Sequence, residues 1–256
     1  MEQLVQGLSP EERGRLLAHI LQDQLAPASG GLSFAIQRRA PKIGGAPKAV
    51  RGFKVRLDLL EAKPPIWRRL MLPGDIELPA LSDVILAAMG WAGGHLHEFS
   101  TGQGYHADRF LNSWDEQEGE PGTPERGVRL DQLVSKVGDT LFYTYDFGDD
   151  WSHRVKVEAV LPEAPGRPTV IAGRRACPPE DVGGIYGYDE AARWVESGYS
   201  PSLLPDGFED AEHGHDWLGD WDPADFEVAE ADDAVSAVWR RLGTAGVVRP
   251  TLPFGA

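Results

Sequence analysis

From residue 53 the chain alternates strictly. Phe53, Val55, Leu57 and Leu59 are apolar, and Lys54, Arg56 and Asp58 between them are charged. A period of two means that successive side chains point to opposite faces, so this segment predicts a half-buried strand. Pro64-Pro65 closes it, and residues 66–72 predict a second strand that stops at Pro73-Gly74. After Leu78-Pro79 the spacing changes to threes and fours through Leu81, Val84, Ile85, Ala88 and Met89, with Gly90 behind, which predicts a helix with a glycine C-terminus. Residues 95–100 predict a strand that residues 102–105 turn back. The clearest hairpin follows. Leu141, Tyr143, Tyr145 and Phe147 share one face, Gly148-Asp149-Asp150 supply the turn, and Trp151, His153, Val155 and Val157 share a face on the return. Short helices are expected over 130–134, over 189–197 and within 223–242. The stretch 112–127 is acidic and rich in Gly and Pro and reads as an exposed loop, and 161–187 is rich in Pro and Gly. Strands in hairpins with helices interspersed predict an α+β fold, a roll with a largely antiparallel sheet.

Outside this block the pattern changes. Ser9-Pro10-Glu11-Glu12 has the form of a capping box, and Leu17, Ile20, Leu21 and Leu25 recur at helical spacing, so residues 1–26 predict an N-terminal helix. That helix leans either on its own domain or on a partner subunit. Residues 27–50, broken by Pro27, Gly30, Gly31, Pro41, Gly44, Gly45 and Pro47, predict a linker. The compact domain is expected over 51–242, with a tail over 243–256.

Composition bounds the rest. The 256 residues are 41% hydrophobic and 25% charged, a globular balance, and the formal net charge is −15. A field of that sign repels phosphate backbones, so extended nucleic-acid binding is not expected. The acid is uneven. Residues 1–70 hold 12 Lys/Arg against 6 Asp/Glu, a net of +6, which leaves −15 − 6 = −21 for the remainder. A single cysteine excludes an intrachain disulfide and a multi-cysteine zinc site. No apolar run has the length of a membrane span, and Met1-Glu2-Gln3 lacks the basic-then-apolar start of a secretory leader, so the expected location is cytoplasmic with no membrane association.

Candidate chemistry gathers around two segments. His95 and His97 stand two apart on an expected strand and so face one side, half of a metal site. Asp146, Asp149, Asp150, Trp151 and His153 lie at or just after the hairpin turn. His95, His97, Asp149 and His153 together make a candidate divalent-metal set, for Zn²⁺, Mn²⁺ or Fe²⁺. Glu180 and Asp181 are candidate general bases for a metal-bound water. The competing reading is structural: aspartates tie turns by capping local N–H groups, and a histidine on an apolar strand face is a core residue. Cys177 follows Arg174-Arg175 and precedes Pro178-Pro179. It is either a thiol activated by local positive charge or a small packing residue. Gly183-Gly184 and Gly187 precede a helix but lack the order of a phosphate loop. Trp67, Trp91, Trp151, Tyr143 and Tyr145 are expected mainly in the core, and a groove where Trp151, His95 and His97 meet is the candidate cleft for a protein or small ligand. Carboxylates mixed with Trp217, Trp221 and Phe226 suit a solvated flank or a basic partner. Arg51, Lys54, Arg56, Lys63, Arg68 and Arg69 form a local basic cluster able to make a short nucleic-acid contact.

Several of these segments resemble one family. Lys63-Pro64-Pro65-Ile66-Trp67-Arg68-Arg69, Ile85-Leu86-Ala87-Ala88-Met89-Gly90-Trp91, His95-Leu96-His97-Glu98-Phe99, Tyr145-Asp146-Phe147-Gly148-Asp149-Asp150-Trp151-Ser152-His153 and Cys177-Pro178-Pro179-Glu180-Asp181-Val182-Gly183-Gly184, closed by Gly187-Tyr188, are similar in order and approximate spacing to the plasmid pRiA4b ORF-3-like family, also labelled the passenger TnpR family of an insertion element. The resemblance covers about 51–242. It implies a compact α+β roll carried by plasmids and mobile elements. The label suggests a resolvase, but serine recombination needs an activated serine ringed by arginines, and no such constellation is legible. Three readings stand: a binding module with a His/Asp/aromatic cleft, a metal-dependent hydrolase, and a nucleic-acid-associated protein.

Overall fold

The computed structural model describes residues 41–104, 107–120 and 122–244. The helix expected over 1–26, the linker up to residue 40 and nearly all of the tail lie outside the described residues. Eight strands form one sheet: β1 (Gly52–Leu59), β2 (Trp67–Pro73), β3 (His97–Ser100), β4 (Arg109–Leu111), β5 (Thr123–Pro124), β6 (Thr140–Tyr145), β7 (Trp151–Leu161) and β8 (Thr169–Arg174). Their order is β5-β4-β3-β6-β7-β1-β2-β8, and every neighbouring pair is antiparallel except the short β4–β5 pair. The helices are α1 (Leu78–Met89), α2 (Ser113–Gln117), α3 (Leu130–Leu133), α4 (Gly184–Glu196), α5 (Ala211–Leu218) and α6 (Val228–Thr244). The fold is α+β with a largely antiparallel sheet.

The two faces of the sheet differ because the alternation seen in the sequence puts apolar side chains on one side only. Phe53, Val55, Leu57, Leu70, Tyr143, Trp151 and Val155 are buried together, and Leu81, Val84, Ile85 and Ala88 of α1 close over them. α6 packs on α1 and β8 and buries Val235. The other face stays open and carries Lys54, Arg56, Asp58, Arg69, Arg154, Lys156 and Glu158. There Arg69 makes a two-pronged ion pair with Glu158, and the guanidiniums of Arg56 and Arg69 lie over the Trp67 ring. Trp67 is thus on the open face rather than in the core.

Arg68 breaks the alternation in charge but not in position. It sits on the covered face of β2 with 1% of its surface exposed. Its guanidinium donates to the carbonyls of Ala88 and Met89, which end α1, and to those of Trp67 and Arg174. A cation at a helix C-terminus satisfies orphan carbonyls and complements the dipole. Phe226 covers it at 4.0 Å, and burial lowers its pKa to about 10. Arg68 is therefore withdrawn from the expected basic cluster: it holds the fold from within. Gly173 must be glycine here, because a Cβ would lie 2.4 Å from the Phe226 ring.

The structure adds elements in three stretches where the sequence pattern predicts none. Residues 112–127 contain α2, capped by the Asn112 side chain on the Trp114 and Asp115 amides, and the short strand β5. Residues 161–187 contain β8, which pairs with β2 through Thr169 and Val170 and again through Ala172, Gly173 and Arg174, with a register shift at Ile171 between them. The acidic flank contains α5, begun by Asp210 capping the His213 amide. Phe147, expected on the strand face, lies in the turn and is partly exposed.

Candidate functional site

The ribbon β6–β7 ends with Tyr145 opposite Trp151, so the turn spans 146–150. Asp146 and Asp150 both take the left-handed conformation, at φ 55° each. Asp146 ties the turn with two acceptors. Its Oδ1 accepts from the Gly148 amide at 2.9 Å, and its backbone carbonyl accepts from the Asp150 amide at 2.7 Å. This leaves Oδ2 free to face His95 Nδ1, 3.5 Å away. The turn also accepts from outside: the Asp149 side chain takes the Gly183 amide at 3.2 Å. Gly184 is pressed against the Asp149 carbonyl, where a Cβ would lie at 2.6 Å, so the glycine pair serves close approach of two loops.

The segment 177–181 is held to the same end by indoles. Trp91 donates to the Pro178 carbonyl at 3.0 Å and Trp221 to the Cys177 carbonyl at 2.8 Å. Glu180 then accepts from the Ala92 amide and from the Tyr145 hydroxyl at 3.1 Å each. Burial, and after it the Glu180 charge, raise the Tyr145 pKa, so that hydroxyl stays a donor. Around His95 the result is one imidazole with three carboxylates. Nε2 is 3.4 Å from Asp181 and 3.6 Å from Glu180, while Nδ1 faces Asp146. Among the described residues, the ion pairs of these three acids all run to His95, so carboxylates outnumber cationic partners at the spot. His95, Asp146 and Asp181 offer ligand atoms that all lie within 4.8 Å of one another. One nitrogen and carboxylate oxygens are a donor set that suits a divalent first-row ion.

The four-residue set His95, His97, Asp149 and His153 does not assemble. β3 begins at His97, so His95 stands in the loop before it and the expected alternation does not apply. His97 turns toward Tyr143 and Phe99, and its Nε2 meets both oxygens of the buried Glu125 at 3.1 and 3.2 Å. Glu125 lies in the 112–127 stretch, whose composition predicts a loop. No signal in the sequence paired it with a residue 28 positions away. His153 and Trp151 are fully buried in the core. Among the described residues neither His153 nitrogen makes a well-formed hydrogen bond, and burial, only partly offset by the nearby Trp151 and Tyr143 backbone, lowers its pKa to about 4. The expected groove of Trp151, His95 and His97 is therefore absent, with Tyr145 and Trp91 standing between the inner and outer histidines. Asp150 shapes the turn through Ser152. Cys177 is buried, and burial raises its pKa well above the ordinary thiol value, which withdraws it as a nucleophile. Arg175 pairs instead with Glu196.

The same segments carry the likeness to known proteins. The family model described as plasmid pRiA4b ORF-3-like protein matches residues 51–230. "Uncharacterized protein y4hQ" of Sinorhizobium fredii (strain NBRC 101917 / NGR234) is 34% identical over 195 residues, covering 73% of this chain and 93% of that protein. The crystal structure of MM3350, a protein of unknown function from Methanosarcina mazei Go1, superposes with a TM-score of 0.58 at 31% identity, covering 71% of this chain and 97% of the other. No helix among the described residues is long and apolar enough to cross a membrane. The chain belongs to the plasmid pRiA4b ORF-3-like family.

Proposed function

We propose that the protein is a cytoplasmic, mobile-element-borne binding module that takes a divalent transition-metal ion at His95, Asp146 and Asp181. The observation that supports this most is convergence. The loop before β3, the β6–β7 turn and the loop before α4 each bring a ligand-type side chain to one spot, and among the described residues no lysine or arginine enters its ion pairs. Three carboxylates held together around one imidazole repel one another, and a dication relieves that repulsion. The spot is open to solvent, with 35% of the His95 side chain and 71% of the Asp181 side chain exposed, so a bound ion would keep positions for water or for a group of a protein or small ligand.

A second reading rests on Glu180. Fixed by Tyr145 and Ala92 beside His95, it stands where a base for a metal-bound water would act, which would make the module a metal-assisted hydrolase.

Calorimetric titration of chelator-treated protein with Mn²⁺ and Zn²⁺ tests the first reading. One equivalent should bind, with affinity falling at least tenfold in His95→Ala and in Asp146→Asn and unchanged in His97→Ala. Absence of binding, or binding indifferent to His95→Ala, would overturn it. If metal binds but Glu180→Gln leaves any hydrolytic activity untouched, the second reading fails alone.

A further inference from the structure

A second concavity lies on the far side of Asp181. It encloses about 150 Å³ between the start of α4 and the acidic flank, and its walls include Asp181, Glu190, Phe208, His213 and Trp217. The aromatic wall is built in layers. Trp194, fully buried, lies under Phe208 with ring centroids 5.9 Å apart, and Phe208 in turn carries Trp217 at 5.5 Å and His213 at 5.8 Å. Gly214 allows this stacking, because a Cβ there would lie 2.7 Å from the Trp194 ring. The outer rings are therefore held from behind and still 39% exposed at Trp217. His213 is oriented too: its Nδ1 accepts the Glu209 amide at 3.3 Å. Asp181 and Glu190 complete the lining, Glu190 beside the Tyr186 hydroxyl.

Aromatic faces together with carboxylates are the surroundings that a desolvated cation prefers. The ring quadrupole attracts positive charge, and the acids neutralise it. The volume is well below the roughly 300–1,000 Å³ of drug-sized pockets, which suits one aliphatic stem ending in a charge. The approach is charged as well. Residues 194–239, which follow Arg193, contain no lysine or arginine, and Asp206, Glu209, Asp210, Glu212 and Asp216 lie along this stretch of chain. Such a field draws a basic partner and repels an acidic one.

We propose that this cavity receives a lysine or arginine side chain presented by a basic polypeptide. The site goes beyond the metal centre and does not depend on it: Asp181 borders both, but the rings and Glu190 take no part around His95. The wall supplies the cation face, Glu190 the counter-charge, and the surrounding acid the attraction at a distance.

The test is a titration of the full chain, in chelator, with capped tripeptides Gly-Lys-Gly, Gly-Arg-Gly and Gly-norleucine-Gly, read by the indole resonances of ¹⁵N-labelled protein. The two cationic peptides should shift the Trp217 resonance, identified by its loss in Trp217→Phe, at least tenfold more tightly than the norleucine peptide. Glu190→Gln should weaken them at least fivefold, and the control Glu212→Gln, on the same flank outside the cavity, less than twofold. Equal binding of the norleucine peptide, equal effects of the two glutamine variants, or no shift at Trp217 would each overturn the proposal. The presence of chelator keeps failure here distinct from failure at His95.

Discussion

His153 and His95 occupy opposite sides of one aromatic partition. Trp91 touches His153 edge-on at 5.3 Å and Tyr145 at 5.2 Å, and Tyr145 touches His95 at 5.7 Å. Inside, burial keeps the imidazole neutral. Outside, it faces three carboxylates. The same residue type is a core filler in one place and a ligand candidate in the other, and only its position relative to Tyr145 and Trp91 decides which. Residue type alone names possible chemistry; burial and neighbours select among the possibilities.

The largest effect should come from breaking the partition's foundation. Trp151→Ala removes a fully buried indole packed on Trp91 and should cost about 3–5 kcal/mol in urea unfolding. A loss below 1 kcal/mol would show that the inner region is not the rigid support described here.

His153→Phe sharpens the comparison through pH. Its folded pKa of about 4 lies below the ordinary histidine value of 6.5, so the unfolded chain takes up a proton in a range where the folded chain does not. Stability from this group is full above pH 6.5, declines as pH falls toward 4, and declines no further below that. The difference amounts to about 3 kcal/mol. His153→Phe should flatten this part of the acid limb relative to the natural protein. Parallel curves between pH 4 and 6.5 would contradict a buried neutral imidazole.

Tyr145→Phe, in the partition itself, deletes the hydroxyl that holds Glu180. It should cost about 1 kcal/mol or less and loosen the outer site without emptying it, a few-fold loss of metal affinity by calorimetry. His95→Ala should have the smallest effect on stability, within about 0.5 kcal/mol, because the side chain is exposed and packs little. A larger cost in metal-free protein would make His95 a structural residue.

The inner region was the more legible. Strict alternation through Phe53–Leu59 and Trp151–Val157 marks strands whatever surrounds them, because a period of two is a property of the backbone. The β8 strand was hidden among Pro and Gly, since a short edge strand needs few apolar residues when one neighbour supplies all its pairing. At the candidate site the sequence picked out His95, Asp146, Glu180 and Asp181 as polar groups of interest but grouped His95 with His97, on the assumption that the strand already ran through residue 95. One missing residue pair at a strand start sent the two rings to different neighbours.

By itself the sequence determined the central strands, helix α1, the covered face of the sheet and the family, because periodicity and ordered motifs are local properties. The tertiary structure alone decided that Arg68 closes a helix from inside, that Glu125 meets His97, and that three loops distant along the chain bring His95, Asp146 and Asp181 together. Those are pairings across tens of residues, set by how the sheet is ordered and how helices cover it, and no local pattern encodes them.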